Sequence, residues 1–205
     1  MKTFNTLKDY RTELQKFCEH HQFDTDKYNE HCYVNQYYGY EFADCRDSKL
    51  KILEIGIYSG GSVDMFKEWM PNSELHGIEY SPTFTSSAWM INSGQLMQER
   101  LGKCNNLHLM WGVDAYCEDT LNLFNDKYFD YIIDDGPHTY ESQLYCVDNW
   151  LDKLKSGGKM IIEDVALGIP EMESLAKDQN AQSFSLYDFT QSTHRGDDRL
   201  IEIVK

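Results

Sequence analysis

The chain of 205 residues has an ordinary globular composition but a strongly acidic balance, with 34 Asp and Glu against 19 Lys and Arg and a formal net charge of −15. This field repels a nucleic-acid backbone, which excludes nucleic acid as a partner. No apolar run approaches the ~20 residues that span a bilayer, and the polar N-terminus does not resemble a signal peptide. We therefore expect a soluble, cytoplasmic protein without a membrane partner. The six scattered cysteines form no Cys-x-x-Cys pair and are expected to be reduced thiols.

The first predicted element is an N-terminal helix, in which apolar residues recur at three- and four-residue spacing: Phe4, Leu7, Tyr10, Leu14 and Phe17. A polar connection over residues 24–47 follows. Its tyrosines either line a sugar-binding cleft or pack the connection onto the protein body, and packing is the favoured interpretation; they are Tyr28, Tyr33, Tyr37, Tyr38 and Tyr40.

From Leu50 onward, short apolar strands alternate with helices. A helix over 140–154 ends before Gly157 and Gly158. The pattern predicts one α/β domain over 1–205, with an N-terminal covering segment (1–48) and a core (49–205). Its sheet is seven-stranded and mostly parallel, with helices on both faces and an antiparallel C-terminal strand at the edge. The predicted strands are 51–55, 74–79, 107–111, 129–134, 159–163, 183–190 and 199–205, with a loop between the last two.

The turn after the first strand, which reads Glu54-Ile-Gly56-Ile-Tyr58-Ser59-Gly60-Gly-Ser62, is rich in glycine. Glycine permits a tight turn and a close approach of the backbone to a ligand. The spacing differs from the dinucleotide fingerprint and lacks the Gly-Lys-Ser/Thr ending of a phosphate-binding loop. Amides at the start of the following helix are placed to hold the carboxylate of an amino-acid-like ligand.

Two acids end the next strands. Glu79 offers two acceptor oxygens to the vicinal hydroxyls of a ribose, and Asp114 offers an acceptor to an adenine amino group. The alternative interpretation makes them surface acids beside ordinary turn glycines. Together these features resemble motif I and its companions in class I S-adenosylmethionine (SAM)-dependent methyltransferases, over residues 50–205. The resemblance implies a Rossmann-like fold that binds SAM through Glu54, Gly56, Tyr58, Ser59, Gly60, Ser62, Glu79, Asp114, Ala115 and Asp134.

A second group of polar residues closes the fourth and fifth strands: Asp134, Asp135 and His138, then Glu163 and Asp164. If these strands are neighbours, unpaired carboxylates would repel one another, and a hard divalent cation relieves that repulsion. We predict Mg²⁺, with Mn²⁺ as the alternative ion, on Asp135, Glu163 and Asp164. His138 is the candidate general base, since its unperturbed pKa is near 6.5. The competing interpretation has the Asp pair cap a helix and the later acids face solvent.

The segments Ile133-Asp-Asp-Gly-Pro-His138 and Gly157-Gly-Lys-Met-Ile-Ile-Glu-Asp164 resemble the metal-dependent sugar O-methyltransferases of macrolide biosynthesis and their cephalosporin hydroxylase-like relatives. The resemblance implies the metal ligands above and a catalytic role for His138 with Asp135. Upstream, Lys27, His31 and Tyr33 match a Thr-Asp-Lys…His-x-Tyr segment that closes over SAM and substrate. Pro137 departs from the usual Ser. The sequence also does not contain the extra N-terminal domain of some macrolide enzymes, so their acceptor and oligomeric state are not carried over.

These features predict an Mg-dependent transfer of a methyl group from SAM to a sugar hydroxyl, on a deoxysugar or a glycan such as rhamnose. A catechol-type O-methyltransferase remains an alternative, although that family usually carries Asp-Asn where this chain has Glu163-Asp164. A non-catalytic SAM-binding domain is the second alternative. An N-methyltransferase of nucleic acid is disfavoured because its Asn/Asp-Pro-Pro-Tyr/Phe signature is absent at 134–137. Whether the chain forms a homo-oligomer stays open.

Overall fold

The computed structural model of the chain describes residues 12–21, 23, 25–58, 60–81 and 106–205. Among these residues the strands are β1 (Lys51–Ile55), β2 (Glu74–Glu79), β3 (Leu107–Trp111), β4 (Phe129–Asp134), β5 (Leu154–Ile162), β6 (Ser183–Asp188) and β7 (Arg199–Val204). The helices are α1 (Glu13–His21), α2 (Asp26–Asn29), a π-helical turn (Val34–Tyr38) that continues into α3 (Gly39–Glu41), α4 (Gly61–Trp69), α5 (Glu118–Leu121), α6 (Tyr140–Trp150), a 3-10 turn (Leu151–Lys153), α7 (Ile169–Asp178) and α8 (Thr190–Thr193).

The seven strands form one sheet in the order β3-β2-β1-β4-β5-β7-β6. Strands β1 to β5 pair in parallel, and β7 pairs antiparallel with both of its neighbours. The predicted seven-stranded, mostly parallel α/β sheet with an antiparallel C-terminal strand is therefore confirmed. No helix in the described part of the chain has the length and apolar character needed to cross a bilayer.

Apolar side chains on the central strands alternate between two cores, one on each face of the sheet. In β1, Ile52 packs with α4 and the N-terminal helices, whereas Leu53 packs on the side of α6 and α7. In β4, Ile133 packs in the core on the α4 side, and Ile132 packs in the core on the α6 and α7 side. Side chains point alternately up and down along a strand, so a strand that is apolar throughout is buried on both faces. Trp150 fills the α6 side with no exposed surface.

Four details of the C-terminal half differ from the prediction. The helix predicted to run to residue 154 ends at Trp150, because Leu154 already begins β5. Gly157 and Gly158 do not follow a helix but lie within β5, where the register jumps from a Phe129 pairing to a Tyr131 pairing. A short helix, α8, joins the last two strands. The antiparallel strand β7 lies between β5 and β6, so β6 forms the edge. The helix predicted from Phe4 falls mostly outside the described residues.

The tyrosine-rich connection packs against the face of the sheet that carries α4. Tyr33, Tyr37 and Tyr38 are buried, while Tyr40 is exposed. Their rings form a chain of aromatic contacts, of which Tyr38 with Phe42 is one, with ring centroids 5.6 Å apart. The favoured packing interpretation describes these rings well, but their hydroxyl groups point to carboxylates rather than to solvent.

Gly56 allows the ends of β1 and β4 to approach each other closely. Its φ of +81° lies in the left-handed region, and a Cβ built there would stand 2.0 Å from the carbonyl oxygen of Asp135. The Asp135 amide also donates to the Ile55 carbonyl at 2.9 Å. A side chain at position 56 would therefore push the residues after β4 away from β1.

We predict that Gly56→Ala destabilises the fold more than Gly157→Ala. Both glycines have positive φ, which costs ~1–2 kcal/mol for alanine. Only Gly56 adds a backbone clash, and overpacking of this kind costs a further ~1–3 kcal/mol. Chemical denaturation of both variants measures the difference. Equal losses would show that the β1–β4 contact relaxes freely.

Candidate functional site

The carboxyl ends of β1 to β4 open into a cavity of about 840 Å³. The strand order reverses between β1 and β4, and α/β sheets bind ligands at such a switch point. The cavity collects most of the predicted cofactor residues together with Asp135, His138 and Asp164 of the second group. Those that line it are Gly56, Tyr58, Ser62, Glu79, Asp114, Ala115, Asp135, His138 and Asp164. The predicted Ser59 lies outside the described residues, and Gly60, at φ +81°, is the cap that begins α4.

On the β2 side of the cavity, backbone amides hold the two predicted nucleoside-binding acids. Glu79 accepts hydrogen bonds from the amides of Tyr58 at 2.8 Å and Ser81 at 2.9 Å. Asp114 accepts one from the amide of Tyr116 at 2.8 Å. These bonds orient the carboxylates, and each carboxylate keeps further acceptor capacity because its two oxygens offer about four lone-pair sites.

Asp134 lies behind the cavity wall rather than on it. Its carboxylate is buried and accepts a hydrogen bond of 2.5 Å from the Tyr116 hydroxyl, and burial raises its pKa to about 6. Tyr116 itself lines the cavity. Gly136 admits this ring, since a Cβ there would stand 1.9 Å from the Tyr116 oxygen. The sequence offered no signal for Tyr116, because only the fold brings it to Asp134.

Lys27 reaches from α2 into the acidic group at the ends of β1, β4 and β5. Its side chain is fully buried, and its ammonium donates to Asp135 and, at 2.8 Å, to Glu163. A third carboxylate, that of Glu54, lies 3.4 Å away. Burial works against the charge of Lys27, but these three acids outweigh it and raise its pKa. Burial raises the pKa of Glu54 to about 7 and also raises the pKa of Glu163. The single charge of Lys27 does not offset this effect for three neighbouring acids.

Both carboxylate oxygens of Glu163 are occupied by residues of the N-terminal segment. Lys27 contacts one oxygen, and the Tyr38 hydroxyl donates to the other. Glu163 is almost fully buried and does not line the cavity. Of the three predicted metal ligands, the structure thus brings Asp135 and Asp164 to the cavity, while Glu163 lies behind them. Tyr38 belongs to the tyrosines named above, but its partner was not foreseen.

His138 lies between the two acids that reach the cavity. Its Nε2 is 3.3 Å from Asp135 and its Nδ1 is 3.0 Å from Asp164. Its φ of 55° places the backbone in the left-handed region, which turns the ring toward both carboxylates. Burial acts to lower the pKa of His138, but the hydrogen bond with Asp164 and the charges of both acids raise it. The two acids therefore favour the protonated form of the imidazole.

Asp164 is anchored by the same N-terminal segment. It accepts a 2.5 Å hydrogen bond from the Tyr33 hydroxyl and lies 3.5 Å from His31. Burial would raise the pKa of Asp164, but the bonds from His138 and Tyr33 outweigh it and lower the pKa. His31 in turn contacts the fully buried Asp198 at 2.7 Å. Asp198 lies in the connection before β7 and was not predicted.

These residues offer a divalent cation a suitable set of donors. Asp135, His138 and Asp164 present ligand atoms that lie within 4.8 Å of one another. Two carboxylates are the oxygen donors that hard cations such as Mg²⁺ prefer, and waters complete such sites. Glu163 joins them only if it gives up Lys27 or Tyr38.

We predict that Lys27→Met destabilises the protein by ~3–5 kcal/mol in metal-free buffer, because buried carboxylates lose their cation. The matched control is Lys177→Met, which removes an exposed pair with Glu173 worth ~0–1 kcal/mol. Urea denaturation in EDTA measures both. A loss for Lys27→Met no larger than that of the control would mean that the acids are protonated or hydrated without Lys27.

Glu54 predicts a pH dependence of stability. Its pKa rises from 4.5 to about 7 on folding, so the folded state binds more protons than the unfolded state between these values. The contribution of Glu54 to the free energy of unfolding is fully present below pH ~4.5. It declines as the pH rises to ~7, by up to ~1.4 kcal/mol per pH unit. Relative to Glu54→Gln, the wild type should lose stability across this interval. A pH-independent difference between the two proteins would contradict the shift.

Comparisons with known proteins identify the family of this chain. Residues 53–165 match the family described as a methyltransferase domain. A curated relative from Streptomyces olivaceus, 8-demethyl-8-(2-methoxy-alpha-L-rhamnosyl)-tetracenomycin-C 3'-O-methyltransferase, is 24% identical over 148 residues, which are 69% of this chain and 34% of the relative. The chain therefore spans about a third of the length of that relative.

Solved structures share the fold. The MycE methyltransferase from the mycinamycin biosynthetic pathway, in complex with Mg, SAH and mycinamycin VI, superposes with a TM-score of 0.65 at 18% identity over 96% of this chain and 55% of its own. A SAM-dependent methyltransferase from Aquifex aeolicus gives a TM-score of 0.52 at 11% identity, over 92% of this chain and 96% of its own. The family match covers more than half of the sequence and contains the end of β1, the glycine turn and both acidic pairs, so this chain belongs to the methyltransferase domain family.

Proposed function

We propose that the protein is an Mg-dependent O-methyltransferase that moves a methyl group from SAM to a sugar hydroxyl, on a deoxysugar such as rhamnose or on a glycan. The observation that carries the proposal is that Asp135, His138 and Asp164 line the same cavity as Glu79 and Asp114. Two acids beside a histidine suit activation of a hydroxyl group.

The relatives support both ligands and the acceptor class. The Streptomyces olivaceus relative is named for O-methylation of a rhamnosyl group, and the MycE complex contains Mg and SAH. This chain covers only 34% and 55% of those proteins, so it need not share their acceptor. Mn²⁺ is the alternative ion for the same oxygen donors.

SAM would supply a methyl group activated by a sulfonium. Glu79 and Asp114, already oriented by backbone amides, would accept hydrogen bonds from its ribose and adenine. Gly56 also lines the cavity, and its missing Cβ lets the backbone after β4 lie against the end of β1 there. Asp134 supports this wall through Tyr116, and Glu54 lies behind it against Lys27.

His138 would take the proton from the acceptor hydroxyl at a ring nitrogen that now faces a carboxylate. In the described conformation the neighbouring acids raise the pKa of its ring, which opposes a role as base. A divalent cation on Asp135 and Asp164 would polarise the hydroxyl and offset the charge of these acids. With that charge offset, the pKa of His138 falls toward its ordinary value and the ring is free to accept a proton.

The N-terminal segment contributes at two levels. Thr25, Asp26 and Glu30 line the cavity and would contact the acceptor. Lys27, His31 and Tyr33, which the family resemblance assigns to closure over the substrate, are buried behind them. We propose that these three act as positioning residues that hold Asp135, Glu163 and Asp164 in place.

A methyl-transfer assay tests the proposal directly. Purified protein with SAM labelled on the methyl group is offered monosaccharides, nucleotide sugars, deoxysugar glycosides and catechols, each with Mg²⁺, with Mn²⁺ and with EDTA. We expect label on a sugar only in the presence of a cation. His138→Gln should lower kcat ~10²–10⁴-fold and leave the Kd of SAM nearly unchanged, the usual contribution of a general base.

The matched control is Gln143→Ala, since the Gln143 side chain supports the same acids through the carbonyls of Glu163 and Asp164 without being a candidate base. If His138→Gln behaves no worse than this control, another group is the base. Turnover that survives EDTA would overturn the metal assignment, and transfer to catechols alone would replace the sugar by the aromatic alternative.

A further inference from the structure

A second polar cluster lies at the end of the sheet opposite the cavity. Glu74 begins β2, and His76 follows two residues later, so both side chains project from the same face. His108 on β3 is the register partner of His76 and therefore shares that face. The cavity lies beyond the carboxyl ends of these strands, so the three residues form no part of the candidate active site.

The two imidazoles face one carboxylate oxygen. The Nε2 atom of His76 lies 2.8 Å, and that of His108 lies 3.9 Å, from the same oxygen of Glu74. The two rings stack with centroids 4.7 Å apart. The three candidate ligand atoms lie within 4.8 Å of one another. In a tetrahedral site with bonds of ~2.0–2.1 Å, ligand atoms are separated by roughly 3.4 Å, so small side-chain rotations suffice.

Aromatic side chains hold the His76 ring in place beside Glu74. Its ring is almost buried, and it meets Phe124, Tyr128 and Phe129 edge-to-face with centroid distances of 5.3 to 5.8 Å. These ring contacts fix the direction in which the imidazole projects toward Glu74. His108 is half exposed and gives solvent ions access.

The surrounding groups match the outer shell of a metal site. The Tyr128 hydroxyl donates to Glu74 at 2.7 Å, and Lys51 lies 3.7 Å from the second oxygen of that carboxylate. Hydrogen bonds of this kind orient a ligating carboxylate. The charge of Lys51 also repels a cation, which limits the affinity of the site.

We propose that Glu74, His76 and His108 bind Zn²⁺, with water in the fourth position. Two imidazole nitrogens and one carboxylate form a donor set for zinc rather than for Mg²⁺, which prefers oxygen ligands. The ion would join β3, the edge strand, to β2 and stabilise that edge of the sheet.

The test measures Zn²⁺ binding to the full chain by isothermal titration calorimetry, together with the shift in Tm that Zn²⁺ produces. His108→Ala is expected to remove one equivalent of Zn²⁺, or to weaken it at least tenfold, and to abolish its Tm shift. Glu74→Gln should weaken the same equivalent. Far-UV circular dichroism without metal verifies that both variants fold.

Two comparisons make the result specific. His20→Ala removes an exposed histidine elsewhere and should leave the equivalent intact. Asp164→Asn is expected to weaken any Zn²⁺ binding at the candidate active site. It should preserve the equivalent of Zn²⁺ that depends on His108. Identical Zn²⁺ stoichiometry, affinity and Tm shift in wild type and His108→Ala would overturn the proposal and leave the cluster as a hydrogen-bonded network only.

Discussion

Five carboxylates meet where the central strands end, and their mutual repulsion constrains everything around them. Asp135 and Asp164 face the cavity, while Glu54, Asp134 and Glu163 are buried behind it. Buried charges are costly unless they are paired and hydrogen-bonded. The compensation comes largely from the N-terminal segment, through the ammonium of Lys27 and tyrosine hydroxyls.

This compensation ties the N-terminal segment to the site electrostatically as well as by packing. Tyr33 and Tyr38 bury their rings in the core beside α4 and donate their hydroxyls to the acids after β5. Asp164 is one proposed ligand of the divalent cation, and Asp135, which Lys27 contacts, is the other. The cation and the ammonium of Lys27 would therefore compete for the Asp135 carboxylate. Cation binding would then be coupled to the position of the N-terminal segment.

The same charge balance governs His138. Two flanking acids raise its pKa, and the proposed cation would lower it again by offsetting them. The proposed role of His138 as a base therefore depends on the presence of that cation. The charge balance differs at the proposed zinc site at the opposite end of the sheet, because one carboxylate there faces two imidazoles.

The sequence by itself determined the strands, their alternation with helices and the set of residues at the strand ends. Short apolar runs indicate strands that are buried on both faces, and turn residues mark where they end. Those patterns predicted each of the strands in the described part of the chain. The boundary between α6 and β5 was misplaced, because a register jump near Gly157 leaves no periodic signal. Which partner each acid takes was decided only by the tertiary structure. Lys27 is 108 residues from Asp135, and His31 is 167 from Asp198, and such pairings arise only when the chain closes over the sheet.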